Sequence, residues 1–87
     1  MSVYVDSPRF HPRSGNPYPD RRWSHLVADS PDELHEFARC LGLKRGWFQD
    51  HPRMPHYDIT EPRYERAIRL GAIPVTSRDL VRLMVAR

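Results

Sequence analysis

The sequence predicts a single α/β domain over residues 1–87, with three to four short, mainly parallel strands and about three helices. Its 87 residues are the length of one small domain. A hydrophobic content of 39% supports a folded chain. Strand patterns and helix patterns alternate along the sequence, and this order is typical of parallel strands joined by right-handed crossovers.

The clearest element is a strand that leads directly into a helix between residues 22 and 43. Along the strand, Trp23 and His25 lie on one face, and the apolar residues that alternate with them lie on the other. Ser30 is the expected helix cap, and apolar residues then recur with the helical period as far as Gly42. A glycine at that position is typical of a helix end.

The remaining elements are predicted in the same way, from alternation and helix caps. They are a strand at 2–6, extended segments at 43–50 and 56–60, a helix from Thr60 to Gly71, a strand at 73–76 and a last helix capped by Thr76 or Ser77. Pro74 places the 73–76 strand at a sheet edge or a strand start. Trp47 or Phe48 is expected to fill the core.

Residues 7–21 are predicted to form a loop or flap within the domain. The segment contains Pro8, Pro12, Pro17 and Pro19, which are incompatible with a continuous strand or helix. Arginines and aromatic residues alternate in it, a composition that can follow a phosphate backbone, but a solvated loop is the interpretation that we favour.

The chain is mildly basic, with a formal net charge of +3. Lys44 is the one lysine among its 14 basic residues, and arginine suits bidentate binding of phosphate and carboxylate groups. The candidate anion-binding residues are Arg22, Arg45, Arg63 and Arg66. A solvated, arginine-rich surface is the competing interpretation.

Cysteine content and hydropathy exclude several other classes. Cys40 stands alone, so the chain can form no internal disulfide and no zinc ribbon. The sequence has no run of about 18 apolar residues and no signal-peptide pattern at its start, so we expect a cytoplasmic protein without membrane contact. A domain of this size is also compatible with a homodimer.

Three polar residues in predicted strands are the candidate catalytic residues: His25, His56 and Asp58. A strand histidine next to Trp23 needs a hydrogen-bond partner, which Asp58 or Asp6 can supply. Two histidines and a carboxylate can bind a divalent metal, or act as acid and base on a phosphoester. The candidate metal ligands are therefore Asp6, His25, His56 and Asp58. The alternative is a closed His–Asp pair that fixes strand register.

Several segments together resemble a known family. They are residues 3–6, 22–29, 33–38, 47–49, 56–58 and 66–72, of which the Trp-Ser-His-Leu and His-Tyr-Asp stretches are the most specific. On these residues the chain is similar to the domain of unknown function 4031 family, small proteins of bacteria and phages. The resemblance covers nearly the whole chain and implies a small stand-alone protein without implying an activity.

A second, shorter resemblance concerns residues 71–79. This stretch resembles the strand-to-helix turn of PIN-type nucleases, in which an aspartate near the turn and an N-terminal aspartate like Asp6 hold a metal. By analogy it implies metal-dependent cleavage of nucleic acid.

Two functions remain open at this point, and the sequence does not decide whether the protein is an enzyme. The first is a binding or regulatory module that contacts nucleic acid, or another anionic or protein partner, through its arginines. The second is a metal-dependent phosphoester hydrolase, acting on nucleic acid or nucleotides, that uses the His/Asp cluster.

Overall fold

In a computed structural model, residues 2–10 and 21–85 form a mixed sheet packed between helices. The elements are β1 (Val3–Asp6), β2 (Arg9–Phe10), β3 (Arg22–Ala28), α1 (Pro31–Cys40), a 3₁₀ helix (Arg45–Trp47), β4 (Tyr57–Thr60), α2 (Glu61–Arg69), β5 (Ile73–Val75) and α3 (Ser77–Val85). Within these described ranges, no helix has the length and apolar character needed to span a lipid bilayer.

Strand β3 is the centre of the sheet. Its residue Leu26 pairs with Val5 of β1 and also with Tyr57 of β4, so β1 and β4 lie on opposite sides of β3. Strand β5 pairs with β1 and forms the edge of the described sheet beyond it. Pro74 lies in β5, so the predicted edge position of this strand is confirmed.

The expectation of mainly parallel strands is wrong, because the sheet is mixed. Among the described strands, β1 and β5 are parallel, and β1, β2 and β4 all run antiparallel to β3. The segment at 41–56, between α1 and β4, is long enough for the chain to recross the sheet before β4 begins. A helix between two strands therefore does not produce a parallel pair here, and the sheet has five strands, not three to four.

A bulge separates β1 from β2. Val5 faces Leu26 and Arg9 faces Trp23, so three residues of the first strand lie opposite two residues of β3. The extra residue falls at Ser7 and Pro8, so β1 and β2 follow one another along the same side of β3 with a β-bulge between them. The predicted 7–21 loop thus contains the strand residues Arg9–Phe10, and its residues 11–20 lie outside the described part of the chain.

The sheet has helices on both faces. Helices α1 and α2 cover one face, where Leu26, Ile59, Leu34 and Ala67 lie in the larger apolar cluster. Helix α3 covers the other face, where Leu80 and Met84 pack against Val27. The faces of β3 are those that the alternation predicts, and the domain has three layers.

The predicted boundaries of α1 are confirmed. The Ser30 hydroxyl accepts a hydrogen bond from the Glu33 backbone N–H at 3.2 Å, and Gly42 follows the helix with a φ of 79°, in the left-handed region that favours glycine. Phe48 packs against the core, whereas Trp47 is 42% exposed. Of the two aromatic residues expected to fill the core, Phe48 is therefore the one that does so.

Candidate metal centre

A polar cluster lies on the face of the sheet that α3 covers only in part. His25 on β3 lies directly opposite Asp58 on β4. The β1–β3 register, continued by one residue, places Asp6 opposite His25 on its other side. Side chains of opposed residues in neighbouring strands point to the same face. Strand register therefore brings one histidine between two carboxylates.

Asp6 holds His25 through two hydrogen bonds. The His25 backbone N–H donates to Asp6 Oδ1 at 2.6 Å, and the ring atom Nδ1 lies 2.8 Å from Oδ2. The Ser77 hydroxyl, at the start of α3, donates to the same Oδ2 at 3.1 Å. Asp6 is 2% exposed. These contacts fix the ring of His25 by its Nδ1 atom.

The ionisation of Asp6 defines the tautomer of His25. Burial alone would raise the pKa of the Asp6 carboxyl, but the hydrogen bonds from His25, its electrostatic attraction and the bond from Ser77 outweigh burial and lower that pKa below its ordinary value. A carboxylate accepts hydrogen bonds and donates none, so Nδ1 of His25 carries the proton. The other ring nitrogen, Nε2, is directed toward Asp58 at 3.9 Å.

His56 is oriented by a main-chain group. Its Nδ1 lies 2.7 Å from the carbonyl oxygen of Met54, which can only accept, so this nitrogen also carries a proton. Its Nε2 lies 3.3 Å from Asp58 Oδ1. Burial alone would lower the pKa of His56, but the Asp58 carboxylate and the Met54 carbonyl raise it above its ordinary value.

The Nε2 atoms of His25 and His56 face the same oxygen of Asp58. The two rings meet edge to face with centroids 5.1 Å apart, and the three residues each offer a ligand atom within 4.8 Å of the others. Ligand atoms around a tetrahedral zinc ion lie about 3.3 Å apart, given metal–ligand bonds of about 2.0–2.1 Å. A contraction of up to about 1.5 Å in the longest of these distances therefore suffices to hold a metal ion.

The cluster reaches the protein surface. The side chains of His25 and His56 are 22% and 14% exposed, and that of Asp58 is 44% exposed. A cation held by these three residues would therefore be within reach of solvent on the Asp58 side. The closed His–Asp pair that sequence reasoning offered as an alternative describes Asp6 and His25, but it does not describe Asp58.

The sequence predicts Asp6 as a metal ligand together with His25, His56 and Asp58. In the structure, Asp6 instead contacts the Nδ1 side of the His25 ring, away from the cluster. It is not among the described residues whose ligand atoms converge. Its two oxygens accept hydrogen bonds from His25 and Ser77. A carboxylate that holds the far nitrogen of a histidine is the usual support of a metal-binding histidine, and the Met54 carbonyl supports His56 in the same way.

Two supporting groups have different signals in the sequence. Thr76 or Ser77 is expected to cap α3, and Thr76 is the one that does so, because its hydroxyl accepts a hydrogen bond from the Asp79 backbone N–H at 3.0 Å. The Ser77 hydroxyl donates to Asp6 instead. Two adjacent hydroxyl residues at a helix start are the available hint. The Met54 carbonyl has no sequence signal, because every residue carries one.

The four candidate anion-binding arginines are distributed over three elements of the fold and do not form a single cluster. Arg22, in β3, forms an ion pair with Glu61. The guanidinium of Arg45 lies 5.0 Å from the ring centroid of Phe48, and that of Arg63 lies 5.5 Å from the ring centroid of Trp47. Arg66 is exposed on α2. Residues 45, 63 and 66 are thus in the layer that covers the opposite face of the sheet.

Fold and site together describe a small mixed α/β domain with a His/His/Asp cluster on one sheet face. A family model described as "Protein of unknown function (DUF4031)" matches residues 3–87, and the chain belongs to this family. The resemblance drawn from sequence is thereby confirmed. Neither the curated proteins nor the solved structures gave a match.

Proposed function

We propose that this protein is a metal-dependent phosphoester hydrolase whose divalent cation is held by His25, His56 and Asp58. One observation carries the proposal: both histidines are fixed through Nδ1, and their Nε2 atoms face one carboxylate oxygen. Two hydrogen-bond acceptors, the Asp6 carboxylate and the Met54 carbonyl, hold these rings in place. Because the rings are already ordered, less free energy is lost in ordering them when a metal binds.

The ligand chemistry limits the choice of metal. Two imidazole nitrogens and one carboxylate oxygen suit zinc and the neighbouring divalent transition metals better than magnesium or calcium, which prefer oxygen ligands. Three protein ligands also leave a coordination position for water or substrate, as in catalytic zinc sites. When bound, such a cation polarises a phosphoryl oxygen and activates water for attack.

The protein residues around the cation have separate tasks. His25 and His56 present neutral Nε2 atoms, and Asp58 contributes the negative charge that offsets part of the cation's charge. Asp6 keeps His25 in one tautomer and one orientation. Ser77 holds Asp6 and lies in the first turn of α3, where the positive end of the helix dipole favours a carboxylate.

The net positive charge of the chain supports an anionic substrate. At +3, the protein attracts phosphate esters more strongly than neutral or cationic substrates. This charge, combined with a cation that can bind a phosphoryl oxygen, favours phosphoesters among the substrates of metal-dependent hydrolases. A nucleotide or a nucleic-acid strand is the form of phosphoester that we expect.

A binding or regulatory module that contacts nucleic acid or another partner is the second candidate function. Its support is separate from the metal centre and comes from basic residues beside an exposed tryptophan, on the opposite side of the sheet. The two functions are compatible, since a hydrolase of nucleic acid also needs a surface that holds its substrate.

The hydrolase proposal can be tested with a chromogenic phosphodiester, bis(p-nitrophenyl) phosphate, and with a single-stranded oligonucleotide. Hydrolysis should depend on added Zn²⁺ or Mn²⁺, stop on addition of a chelator, and fall about 100-fold or more in His56→Ala. His51→Ala is the matched control, because His51 is an exposed histidine outside the cluster. Equal rates in the two variants, or no metal-dependent hydrolysis of either substrate, would contradict the proposal.

A further inference from the structure

Trp47 is an exposed aromatic residue on a rigid support. It ends the 3₁₀ helix and is 42% exposed, while the next residue, Phe48, packs against the core. The ring of Phe48 lies 4.7 Å from that of His35 and 5.5 Å from that of Tyr57. One aromatic residue therefore anchors the turn, and its neighbour is presented to solvent.

Positive side chains surround this exposed ring. Lys44 Nζ lies 5.8 Å and the Arg63 guanidinium carbon 5.5 Å from the Trp47 ring centroid, which are cation–π distances. Arg45 lies 5.0 Å from the Phe48 ring. Lys44, Arg45, Trp47 and Arg63 are called the Trp47 patch here.

The cations of the Trp47 patch form no close ion pair with a carboxylate of the described chain, unlike Arg22 and Arg39. Arg22 is paired with Glu61, and Arg39 is paired with Glu36. Within residues 2–10 and 21–85, no carboxylate lies within 4.0 Å of the charged groups of Lys44, Arg45 or Arg63. Two positive charges beside the Trp47 ring and a third beside the neighbouring Phe48 ring therefore form no close ion pair with these residues, and they suit an anionic partner.

We propose that the Trp47 patch binds single-stranded nucleic acid, with phosphates at the three cations and an unpaired base stacked on Trp47. Sequence-tolerant binding of single strands combines these two features, positive groups along the backbone and aromatic side chains beneath the bases. A duplex keeps its bases stacked inside and offers none to the indole ring. A tract of Asp and Glu residues alone would use the charges but would offer no flat group to stack on Trp47.

This binding surface is separate from the metal centre. The patch lies in the layer of α1 and α2, and the His25 cluster lies on the sheet face that α3 covers. Loss of nucleic-acid binding and loss of metal binding can therefore be measured independently, so the inference does not depend on the hydrolase proposal.

Fluorescence anisotropy with a labelled 12-nucleotide poly(dT) and with poly(U), in chelator, tests the proposal. Binding should weaken steeply between about 50 and 200 mM salt. Trp47→Ala should weaken binding by about fivefold or more, and Trp47→Phe should restore part of it, because phenylalanine also stacks. Arg63→Ala should reduce the slope of log K against log salt by about 0.7, the value for one contact with a single strand.

Arg82→Ala is the matched control, since Arg82 is exposed on α3, in the layer on the other side of the sheet. It removes the same charge and should leave affinity within about twofold. No binding at 50 mM salt, or equal losses in Arg63→Ala and Arg82→Ala, would overturn the proposal. Binding of poly-glutamate as tight as that of the oligonucleotide, with no effect of Trp47→Ala, would assign the patch to an acidic protein instead. Circular dichroism melting of each variant confirms that the fold is retained.

Discussion

His25 and His35 are two half-buried histidines with similar local bonding and different surroundings. Nδ1 of His25 lies 2.8 Å from a carboxylate oxygen of Asp6, and Nδ1 of His35 lies 2.9 Å from the hydroxyl of Tyr57. His25 faces another histidine and Asp58 across the sheet. His35 faces the aromatic rings of Phe48 and Tyr57. A histidine whose Nδ1 is hydrogen-bonded becomes a candidate metal ligand when other ligand groups lie close to its Nε2.

The charge of the partner also separates the two residues. Asp6 favours a positive imidazole or cation nearby, because it is an ionised carboxylate in a buried position. Tyr57 is neutral, and burial raises the pKa of its hydroxyl further. The His35 ring therefore lies against aromatic residues of the core, whereas the surroundings of His25 favour a positive charge.

The largest expected effect is on the free energy of unfolding, and it distinguishes the His35 region from the His25 region. Tyr57→Ala should lower the free energy of unfolding by about 3–5 kcal/mol, because the side chain is 1% exposed and fills the core beneath α1. Tyr57→Phe keeps the ring and loses only the hydroxyl bond to His35, so it should cost about 1 kcal/mol. Urea denaturation measures both. Similar losses in the two variants would show that His35 and Tyr57 form a polar site, not a packed core.

The next effect concerns metal affinity. Asp6→Asn should weaken Zn²⁺ binding about 10- to 100-fold, because the group that fixes the tautomer of His25 loses its charge. Asp32→Asn, near His35 on the opposite side of the sheet, is the control and should leave affinity within about twofold. Isothermal titration with zinc measures both constants. An equal effect of the two substitutions would remove the distinction between the regions.

The pKa values of His56 and His35 should be shifted in opposite directions. The pKa of His56 is raised above 6.5 although burial opposes the shift, since Asp58 and the Met54 carbonyl favour the protonated ring. The pKa of His35 is lowered below 6.5, first by burial and then by the positive charge of Arg45. NMR titration of the imidazole protons in metal-free protein should give midpoints on opposite sides of 6.5, and midpoints on the same side would contradict this.

The directions of these two pKa shifts also predict how stability and metal binding respond to pH. Protonated His56 stabilises the metal-free fold fully below pH 6.5, and this contribution is lost as pH rises through its raised pKa. Neutral His35 contributes above pH 6.5, and its contribution is lost as pH falls through its lowered pKa. Metal must displace the proton on His56, so zinc affinity should fall as pH drops below the raised pKa of His56.

The smallest effect is expected at Ser77. Ser77→Ala removes one hydrogen bond to Asp6 and should lower the free energy of unfolding by about 0.5–1.5 kcal/mol. Thr76 still caps α3, so the helix should keep its start. Thermal melting with and without zinc measures the change. A loss above about 3 kcal/mol would mean that the Ser77 hydroxyl supports more than Asp6.

Sequence patterns predicted the parts of the fold that depend on neighbouring residues. Alternation placed His25 with Trp23 on one face of β3 and Leu26 on the other, and Ser30 and Gly42 set the ends of α1. Strand direction depends instead on where residues 41–56 return across the sheet. No local pattern in that segment reports its path, which is why the expectation of parallel strands was wrong.

The candidate site was predictable to the same extent. Alternation placed His25 on one face of β3, and it placed His56 and Asp58 on the same face of the segment that contains β4. The register between β3 and β4 then brings the three residues together. The one-residue bulge at Ser7 and Pro8 and the Met54 carbonyl could not be predicted, because register and main-chain acceptors leave no mark on residue identity.

Zinc binding to the metal-free protein tests the central claim most directly. Competition with a chromophoric chelator should show one Zn²⁺ per chain in the wild type and in His51→Ala, with affinity lost in His56→Ala and in His25→Ala. Cobalt substitution should add the visible absorption of a four-coordinate site in the first two proteins only. Binding of equal strength in all four proteins, or none in the wild type, would contradict a metal centre at His25, His56 and Asp58.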